Sequence, residues 1–330
     1  MSARRKGSVN QLGFNLSSPA PAPVTEAIVA PVVRRFATDA LVQTRPWRIL
    51  SYGGGVDSFA MLARAIKTGE LPDEVVFADV GDISRKDPAE WPQTYAHIRR
   101  VVIPLCEKHG IPFKWITTDE LPIRGHRSLF AYLQAMRTMV GRMSRMCTSA
   151  AKVERVNRYV AHKYPQGQVE MWVGFEAGEE SRARRDPHGK TAKVGKKYKK
   201  NSFSARKTTR FPLIEAGMCR CRAIEFIREC GYELPPGSAC VFCPFSTRGD
   251  FQKVQRKEPE AFVSIVQLEL NAKETARGKK IRFAGSDDDS KFLPEWIKGK
   301  YKARKMECKV CGNPNRPRKM VGCEPEELVS

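Results

Sequence analysis

The strongest chemical signal in the chain is a glycine-rich turn between a predicted strand and a predicted helix. The turn, Ser51–Ser58, reads SYGGGVDS and follows the apolar segment Trp47–Leu50. Apolar residues at helical spacing over Phe59–Ile66 predict a helix that ends at Gly69. Backbone without side chains lets several N–H groups converge, and the start of a helix adds partial positive charge. The turn therefore predicts an anion site, most often one for phosphate.

The residues within the turn narrow the kind of phosphate. No Gly-Lys-Ser/Thr follows, which excludes a Walker loop, whereas Gly53, Gly55 and Ser58 nearly fit the dinucleotide pattern G-x-G-x-x-G/A. Asp79, at the end of the next predicted strand, would then bind a ribose. Asp57 argues against a dinucleotide, because a carboxylate in an anion site repels pyrophosphate unless a divalent cation lies between them. A nucleoside triphosphate with Mg²⁺ brings that cation.

The same turn resembles the PP-loop of the N-type ATP pyrophosphatases, whose pattern is Ser-Gly-Gly-x-Asp-Ser. The matching residues are Gly54, Gly55, Asp57 and Ser58. Gly53 replaces the first serine of the pattern, and Ser51 at the strand end is the residue that could supply the missing hydroxyl. The resemblance implies that the loop glycines and Ser58 hold the pyrophosphate part of ATP, and that Asp57 is associated with Mg²⁺.

Strands alternate with helices through the first half of the chain. The predicted strands are Trp47–Leu50, Glu74–Asp79, Phe113–Thr117 and Val169–Gly174, and a helix is predicted over Trp91–His109. This order predicts an α/β fold, a Rossmann-like parallel sheet with helices on both faces. Ligands of such sheets lie at the carboxyl ends of the strands. The residues at those ends are Ser51, Asp79, Thr117 and Gly174.

Further segments resemble, in chain order, the phosphoadenosine-phosphosulfate (PAPS) reductase branch of the PP-loop superfamily. They are Phe77–Gly81, Pro92–Tyr95, Arg145–Thr148 with Lys152, and Gly174–Arg182. The resemblance spans about residues 47–265 and implies a fold of the adenine nucleotide α-hydrolase type. Charge that develops at an α-phosphate needs fixed cations, and the candidates are Arg182 or Arg184, and Lys152.

Cysteine is the second chemical signal. Ten cysteines and no recognisable signal peptide predict a reducing, cytoplasmic location with free thiols. Two C-x-x-C pairs, Cys240/Cys243 and Cys308/Cys311, have the spacing with which two thiolates bind one metal ion or one edge of a cluster. Pro244, directly after the first pair, is typical of iron–sulfur ligation.

In the cluster-containing members of the PAPS reductase branch, a cysteine at the position of Cys147 joins a downstream pair. The resemblance therefore implies a site made by Cys147, Cys240 and Cys243, for which a [4Fe-4S] cluster and Zn²⁺ are both open. The candidates for its fourth ligand are Cys219, Cys221 and Cys323. A second possible site has three ligands at ribbon-like spacing, Cys308, Cys311 and Cys323. That second site needs a fourth ligand from elsewhere in the chain.

The net charge of +22 predicts a polyanionic partner. Twelve Lys or Arg stand against one Asp between Arg182 and Arg210. We predict that residues 182–210 form a flexible basic insertion that contacts the phosphates of tRNA or DNA. No apolar run approaches the roughly 18 residues of a membrane span, so no membrane partner is expected.

Composition divides the chain into three predicted parts. Residues 1–45 are a disordered, basic, Pro/Ala-rich tail. Residues 46–215 are the nucleotide-binding domain with its basic insertion, and residues 216–330 are a cysteine-rich region with a possible metal or iron–sulfur site.

The resemblance implies an enzyme that cleaves ATP, or another adenylyl nucleotide, at the α-phosphate. It would adenylate an acceptor, release pyrophosphate and let sulfur from a donor protein displace AMP, as in the sulfurtransferases of tRNA thiolation and DNA phosphorothioation. One alternative is a PAPS or adenylyl-sulfate reductase, although the Glu-Cys-Gly-Ile/Leu-His tail of that family is replaced by Gly322–Pro325. The second alternative is a nucleotide-gated nucleic-acid binder without turnover.

Overall fold

The computed structural model describes residues 45–81, 87–140, 146–185, 202–274, 278, 281–284, 289–302 and 305–317. The predicted tail, apart from its last residue, lies outside the described residues, as do the centre of the predicted basic insertion (186–201) and Cys323. No helix in the described ranges is long and apolar enough to cross a membrane.

One parallel sheet of five strands forms the centre of the described chain. The strands are β1 (Trp47–Tyr52), β2 (Glu74–Ala78), β3 (Phe113–Ile116), β4 (Val169–Val173) and β5 (Lys207–Arg210), in the order β3-β2-β1-β4-β5. The α/β prediction is thus confirmed. Strands β2 and β4 lie on either side of β1. The chain therefore adds β2 and β3 on one side of β1 and then returns to add β4 and β5 on the other side. Ligands of open parallel sheets bind at such a reversal.

Strand β5 corrects the predicted extent of the basic insertion. Residues 182–210 were expected to be flexible throughout, but Lys207–Arg210 pair with Val169–Trp172 of β4. The sequence KTTR carries no apolar side chain, so its pattern predicts no strand. The pairing with β4 is made by the backbone, which any side chain can accompany at a sheet edge.

Twelve helices surround or extend the sheet in the described ranges. They are α1 (Val56–Thr68), α2 (Pro92–His97), α3 (Ile103–Lys108), α4 (Leu129–Ala135), α5 (Glu154–Lys163), α6 (Glu180–Ala183), α7 (Phe203–Arg206), α8 (Pro212–Glu215), α9 (Arg220–Glu229), α10 (Arg248–Lys257), α11 (Pro259–Asn271) and α12 (Leu293–Trp296). The π-helical turns Ile98–Val102 and Thr148–Val153 join α2 to α3 and lead into α5, and Asp289–Lys291 form a 3₁₀ turn.

Helix α1 follows from its sequence. Its buried residues include Phe59 and Leu62, and Gly69 ends it with a φ of 72°, which glycine adopts without strain. Helix α9 buries Ile224 and Ile227 in the same core. The domain boundary predicted between residues 215 and 216 therefore falls inside one packed core, because α9 covers an apolar face of α1.

A second core joins the two halves of the chain. Val80, Trp91 and Phe130 from the first half pack with Phe242 and Phe251 from the second. Burial of large aromatic rings contributes much of the stabilisation of such a core. The segment that carries the first C-x-x-C pair is thereby fixed against the first half of the chain.

Candidate active site and metal centre

The glycine turn forms the rim of a concave site at the start of α1, which we call the cradle. Gly54 has a φ of 80°, and a Cβ there would lie 2.6 Å from Cγ2 of Thr94. Gly55 is the N-cap of α1 and gives no side-chain cap, so the first N–H groups of the helix are left for another acceptor. The Ser58 hydroxyl donates to the Gly55 carbonyl oxygen at 3.0 Å. These features fit the predicted anion site.

Asp57 has a partner that its motif does not reveal. Nη1 of Arg220 donates to both carboxylate oxygens of Asp57, at 2.9 and 3.0 Å. Only 4% of the Arg220 side chain and 12% of the Asp57 side chain are exposed. The guanidinium therefore compensates the carboxylate charge at the cradle, which in the sequence-based prediction was left to Mg²⁺ alone.

Arg220 is held from behind by a buried carboxylate. Oε2 of Glu176 accepts the backbone N–H of Arg220 at 2.6 Å, and Oε1 of Glu176 accepts from Nη2 of Arg316 at 2.9 Å. The Glu176 side chain is completely buried. Two arginines from distant parts of the chain thus meet at one carboxylate beside the glycine turn.

A cleft of about 310 Å³ opens between the ends of β1 and β4. We call it the nucleotide cleft, after the ligand that the sequence predicts for it. Its lining includes the predicted residues Ser51, Gly53, Gly55, Asp57, Ser58, Lys152, Gly174 and Arg182. Position 174 favours glycine because the backbone of α1 lies close to it: a Cβ there would lie 3.1 Å from the backbone nitrogen of Ser58. The reversal between β1 and β4 therefore brings these residues together, as the strand order predicts.

Lys152 projects into the cleft from the π-helical turn Thr148–Val153. Its ammonium donates to Oε1 of Glu90, whose side chain is completely buried. Burial alone would lower the pKa of Lys152, but the Glu90 carboxylate raises it above its ordinary value. The cleft thus contains a lysine that stays charged. The second oxygen of Glu90, Oε2, has no hydrogen-bond partner among the described residues.

Arg182 lies over an aromatic platform at the same cleft. Its guanidinium is 4.2 Å from the ring centre of Phe175 and donates to Glu179, and Phe175 in turn stacks on Phe211 at 5.3 Å. Such stacking fixes the plane of a guanidinium, and Glu179 here occupies one part of its edge. Arg182 is therefore oriented as well as charged.

Asp79 does not reach the cleft, although it follows β2 as predicted. Its carboxylate accepts from the Tyr95 hydroxyl at 2.5 Å, the Gly81 backbone N–H at 3.1 Å and the Trp115 indole N–H at 3.3 Å. Burial raises the pKa of Asp79, and these three donors oppose that rise. Its observed contacts join β2, α2 and β3, which gives it a structural part, and its role in nucleotide binding stays a prediction.

Three cysteines line a second cavity of about 650 Å³, which we call the thiol cavity. They are Cys147, Cys240 and Cys243. The thiol cavity and the nucleotide cleft share the lining residues Thr148, Lys152, Gly174, Phe175, Arg182 and Ser238. Burial raises the pKa of Cys240 well above its ordinary value and that of Cys243 to about 11. A metal that binds here displaces protons from these thiols.

The segment of the first C-x-x-C pair contacts the glycine turn directly. Cys240 forms an antiparallel bridge with Glu90, and the backbone N–H of Val241 donates to the carbonyl of Ala89 at 2.9 Å. A Cβ on Gly55 would lie 2.7 Å from Oγ of Ser238. The backbone of the thiol segment is therefore paired with residues 89–90, and its Ser238 lies against the glycine turn.

The remaining ligand predictions are rearranged by the structure. Cys219, Cys221, Cys308 and Cys311 bring their sulfur atoms within 4.8 Å of one another. Cys219 and Cys221 were candidates for the fourth ligand of the thiol cavity, whereas the structure groups them with the second C-x-x-C pair. Among the described residues, the three thiols of the thiol cavity form no group as close as this one.

No family model matches the chain, and no curated protein matches it either. Among solved structures, the chain is similar to the U34-tRNA thiolase NcsA from Methanococcus maripaludis, determined with its [4Fe-4S] cluster. The identity is 15%, the TM-score is 0.34, and the match covers 85% of this chain and 78% of the thiolase chain.

Sequence reasoning missed Arg220, Glu176 and Glu90. Arg220 stands between two cysteines and begins α9, so a Cys-Arg-Cys segment with a helix start was the available signal. Glu176 lay inside a recognised motif, but its burial and its two arginine partners come from chain segments 44 and 140 residues away. Such long-range pairs leave no local pattern.

Proposed function

We propose that this protein is a PP-loop enzyme that binds ATP in the nucleotide cleft and activates an acceptor for sulfur transfer. One observation carries the proposal: the cradle for phosphate and the cavity with three thiols share a wall that contains Lys152 and Arg182. A nucleotide site and a sulfur-handling site that lie side by side are what a coupled activation and transfer require.

The glycine turn is proposed to hold the β- and γ-phosphates. The backbone N–H groups at the start of α1 and the hydroxyl of Ser58 would donate to phosphate oxygens. Arg220 compensates Asp57, so the carboxylate can remain beside the phosphates without repelling them. Mg²⁺ bound mainly by the phosphates would complete the charge balance, with Asp57 as its protein contact.

Lys152 and Arg182 are proposed to act at the α-phosphate. Attack of an acceptor oxygen on the α-phosphorus breaks its bond to the bridging oxygen, and pyrophosphate leaves with Mg²⁺. The developing charge on the α-phosphate oxygens is stabilised by two cations already fixed in place. A sulfide donor then attacks the acceptor carbon, the carbon–oxygen bond breaks, and AMP leaves with that oxygen.

The thiol cavity fits an iron–sulfur cluster, as the PAPS-reductase-like resemblance implies. Cys147, Cys240 and Cys243 line one cavity. Unlike the other four cysteines, they do not form a group whose sulfurs all lie within 4.8 Å of one another. A cubane cluster bonds each thiolate to a different iron atom, so its protein ligands stand further apart than those of one metal ion. When bound with Cys147, Cys240 and Cys243 as its only protein ligands, the cluster would supply an iron atom that can hold sulfur; Cys323, the remaining candidate for a fourth ligand, lies outside the described residues.

A basic and aromatic surface at the outer end of the thiol cavity fits a nucleic-acid acceptor. Phe245 lines both the thiol cavity and an adjoining cavity of about 510 Å³, and 47% of it is exposed. Arg248, Lys300 and Lys302 line the adjoining cavity. A base can stack on an exposed ring while lysines contact the phosphates, and neither contact reads sequence.

The decisive experiment is incubation of anaerobically purified protein with α-labelled ATP, Mg²⁺, sulfide and nucleic acid. AMP and pyrophosphate that appear only with nucleic acid, together with sulfur in the nucleic acid, would support the proposal. A parallel reaction with a sulfonucleotide and thioredoxin tests the alternative reductase. Sulfite release there would replace the proposal, and nucleotide binding without any product would favour a binder without turnover.

A further inference from the structure

We infer that Cys219, Cys221, Cys308 and Cys311 bind one structural Zn²⁺, separate from the thiol cavity. The four sulfur atoms lie within 4.8 Å of one another. Tetrahedral Zn²⁺ with four thiolates, at a Zn–S distance of about 2.3 Å, places the sulfurs about 3.8 Å apart. The spacing fits one ion. Four protein ligands also close the coordination sphere, which is the mark of a structural site rather than a catalytic one.

Backbone N–H groups point at two of the four sulfur atoms. Sγ of Cys308 accepts the backbone N–H groups of Val310 and Cys311, and Sγ of Cys219 accepts that of Arg222 in the first turn of α9. The chain turns back after the second pair through Gly312, whose φ is 72°.

Apart from the Arg316–Glu176 ion pair, the segment 305–317 has little else to hold it in place, because Cys308 is its one buried residue. Met306 is 49% exposed and Val310 42% exposed, so its apolar side chains hardly contribute to a core. The small buried cluster at this place consists of Ala177 and the cysteines themselves. A segment without a core is usually fixed by a metal or a disulfide. A disulfide requires oxidation of two thiols, whereas metal binding does not.

The site would fix two arginines of the nucleotide cleft and thiol cavity. Arg220 stands between Cys219 and Cys221 and reaches Asp57, while Arg316 follows Cys311 by five residues and reaches Glu176. Both guanidinium groups line the thiol cavity. Zn²⁺ with four thiolates carries a net charge of about −2, which these neighbouring arginines partly offset. The ion is thus a positioning element for the cleft wall.

The test is metal analysis of the full chain purified without oxygen. We expect about one Zn²⁺ per chain, with zinc-edge X-ray absorption that shows four sulfur neighbours at about 2.3 Å. Replacement of zinc by Co²⁺ should give the charge-transfer and ligand-field bands of a tetrahedral thiolate site. The Co²⁺ spectrum uses the unaltered sequence, so it does not depend on whether a cysteine variant folds.

Two sets of variants separate this site from the thiol cavity. Cys308→Ser and Cys311→Ser should lose the zinc but leave the iron, whereas Cys240→Ser and Cys243→Ser should keep the zinc. Cys230→Ser, on a half-buried cysteine outside both groups, is the matched control and should change neither metal. Zinc with nitrogen or oxygen neighbours, zinc retained in Cys311→Ser, iron at these four residues, or a disulfide among them would each overturn the inference. None of these outcomes depends on catalysis, so loss of the proposed function alone would leave the zinc inference standing.

Discussion

At the scale of single residues, the most informative contact is the one between Arg220 and Asp57. The motif predicts a carboxylate at the phosphate cradle, and the structure supplies the cation that makes it tolerable. Removal of one partner from a buried ion pair leaves an uncompensated charge, which costs more than the pair itself contributes.

We therefore expect Arg220→Gln to weaken ATP binding by about tenfold or more, equivalent to at least about 1.4 kcal/mol. The reason is that a bare Asp57 carboxylate would face the triphosphate. Isothermal titration calorimetry with a non-hydrolysable ATP analogue measures the effect. Arg222→Gln, an exposed position on the same helix, is the matched control. Asp57→Asn added to Arg220→Gln should restore part of the affinity; a double variant no better than the single one would contradict the charge argument.

Asp79 leads to a different expectation, because its carboxylate is occupied by three buried donors. Asp79→Ala should lower the free energy of unfolding by about 1–3 kcal/mol, since donors without an acceptor remain in the core. Urea titration followed by fluorescence gives that value. The ATP dissociation constant of the folded variant should stay within about twofold of the parent value. Weaker nucleotide binding at unchanged stability would instead support the ribose contact that the sequence suggests.

At the scale of elements, the cradle depends on how close the glycine turn lies to its neighbours. Gly54 combines a φ of 80° with a Cβ position 2.6 Å from Thr94, whereas a Cβ on Gly53 would find only Ser58 Oγ at 3.8 Å. Neighbouring glycines in one turn thus differ in what they tolerate.

Gly54→Ala should abolish measurable ATP binding at concentrations that saturate the parent protein, while Gly53→Ala should keep it. The left-handed backbone at Gly54 disfavours alanine by about 1–2 kcal/mol, and the contact with Thr94 adds to that cost. Equilibrium dialysis with labelled ATP compares the pair directly. Gly53→Ser, which restores the family pattern, should also bind; equal loss at both positions would mean that the turn as a whole, and not its close approach, is sensitive.

At the scale of the whole molecule, the charge of +22 has to be connected to particular surfaces. Lys300 and Lys302 are exposed at the cavity that adjoins the thiols. Each phosphate contact made by a lysine releases counterions, so it contributes to the salt dependence of nucleic-acid binding.

Lys300→Gln with Lys302→Gln should weaken nucleic-acid binding and reduce the slope of log K against log salt by about two. Filter binding of a single-stranded oligonucleotide over a range of salt concentrations measures the slope. Lys298→Gln is the matched control, because that lysine is exposed on the same stretch but paired with Glu295 at 2.8 Å. An unchanged slope in the double variant would move the nucleic-acid surface elsewhere.

Much of the fold in the first half of the chain could be predicted from sequence because its signals are local. Strand, glycine turn and helix follow one another within residues 47–69, and apolar periodicity sets the next strands. The strand β5 could not be predicted, since KTTR pairs through its backbone alone. The grouping of Cys219 and Cys221 with Cys308 and Cys311 could not be predicted either, because C-x-x-C spacing does not say which distant cysteines complete a tetrad.

One buried side chain sets how the pocket can adapt. Arg155, 1% exposed, donates to the backbone carbonyls of Asp79, Ala151, Ile116, Thr117 and Leu121. Its planar guanidinium, with five donors, joins the ends of β2 and β3 to the π-helical turn that presents Lys152. A lysine at this position would satisfy fewer of these acceptors. The flank of the pocket that Arg155 holds is consequently rigid. A ligand that binds against this flank therefore has to fit its shape as it stands.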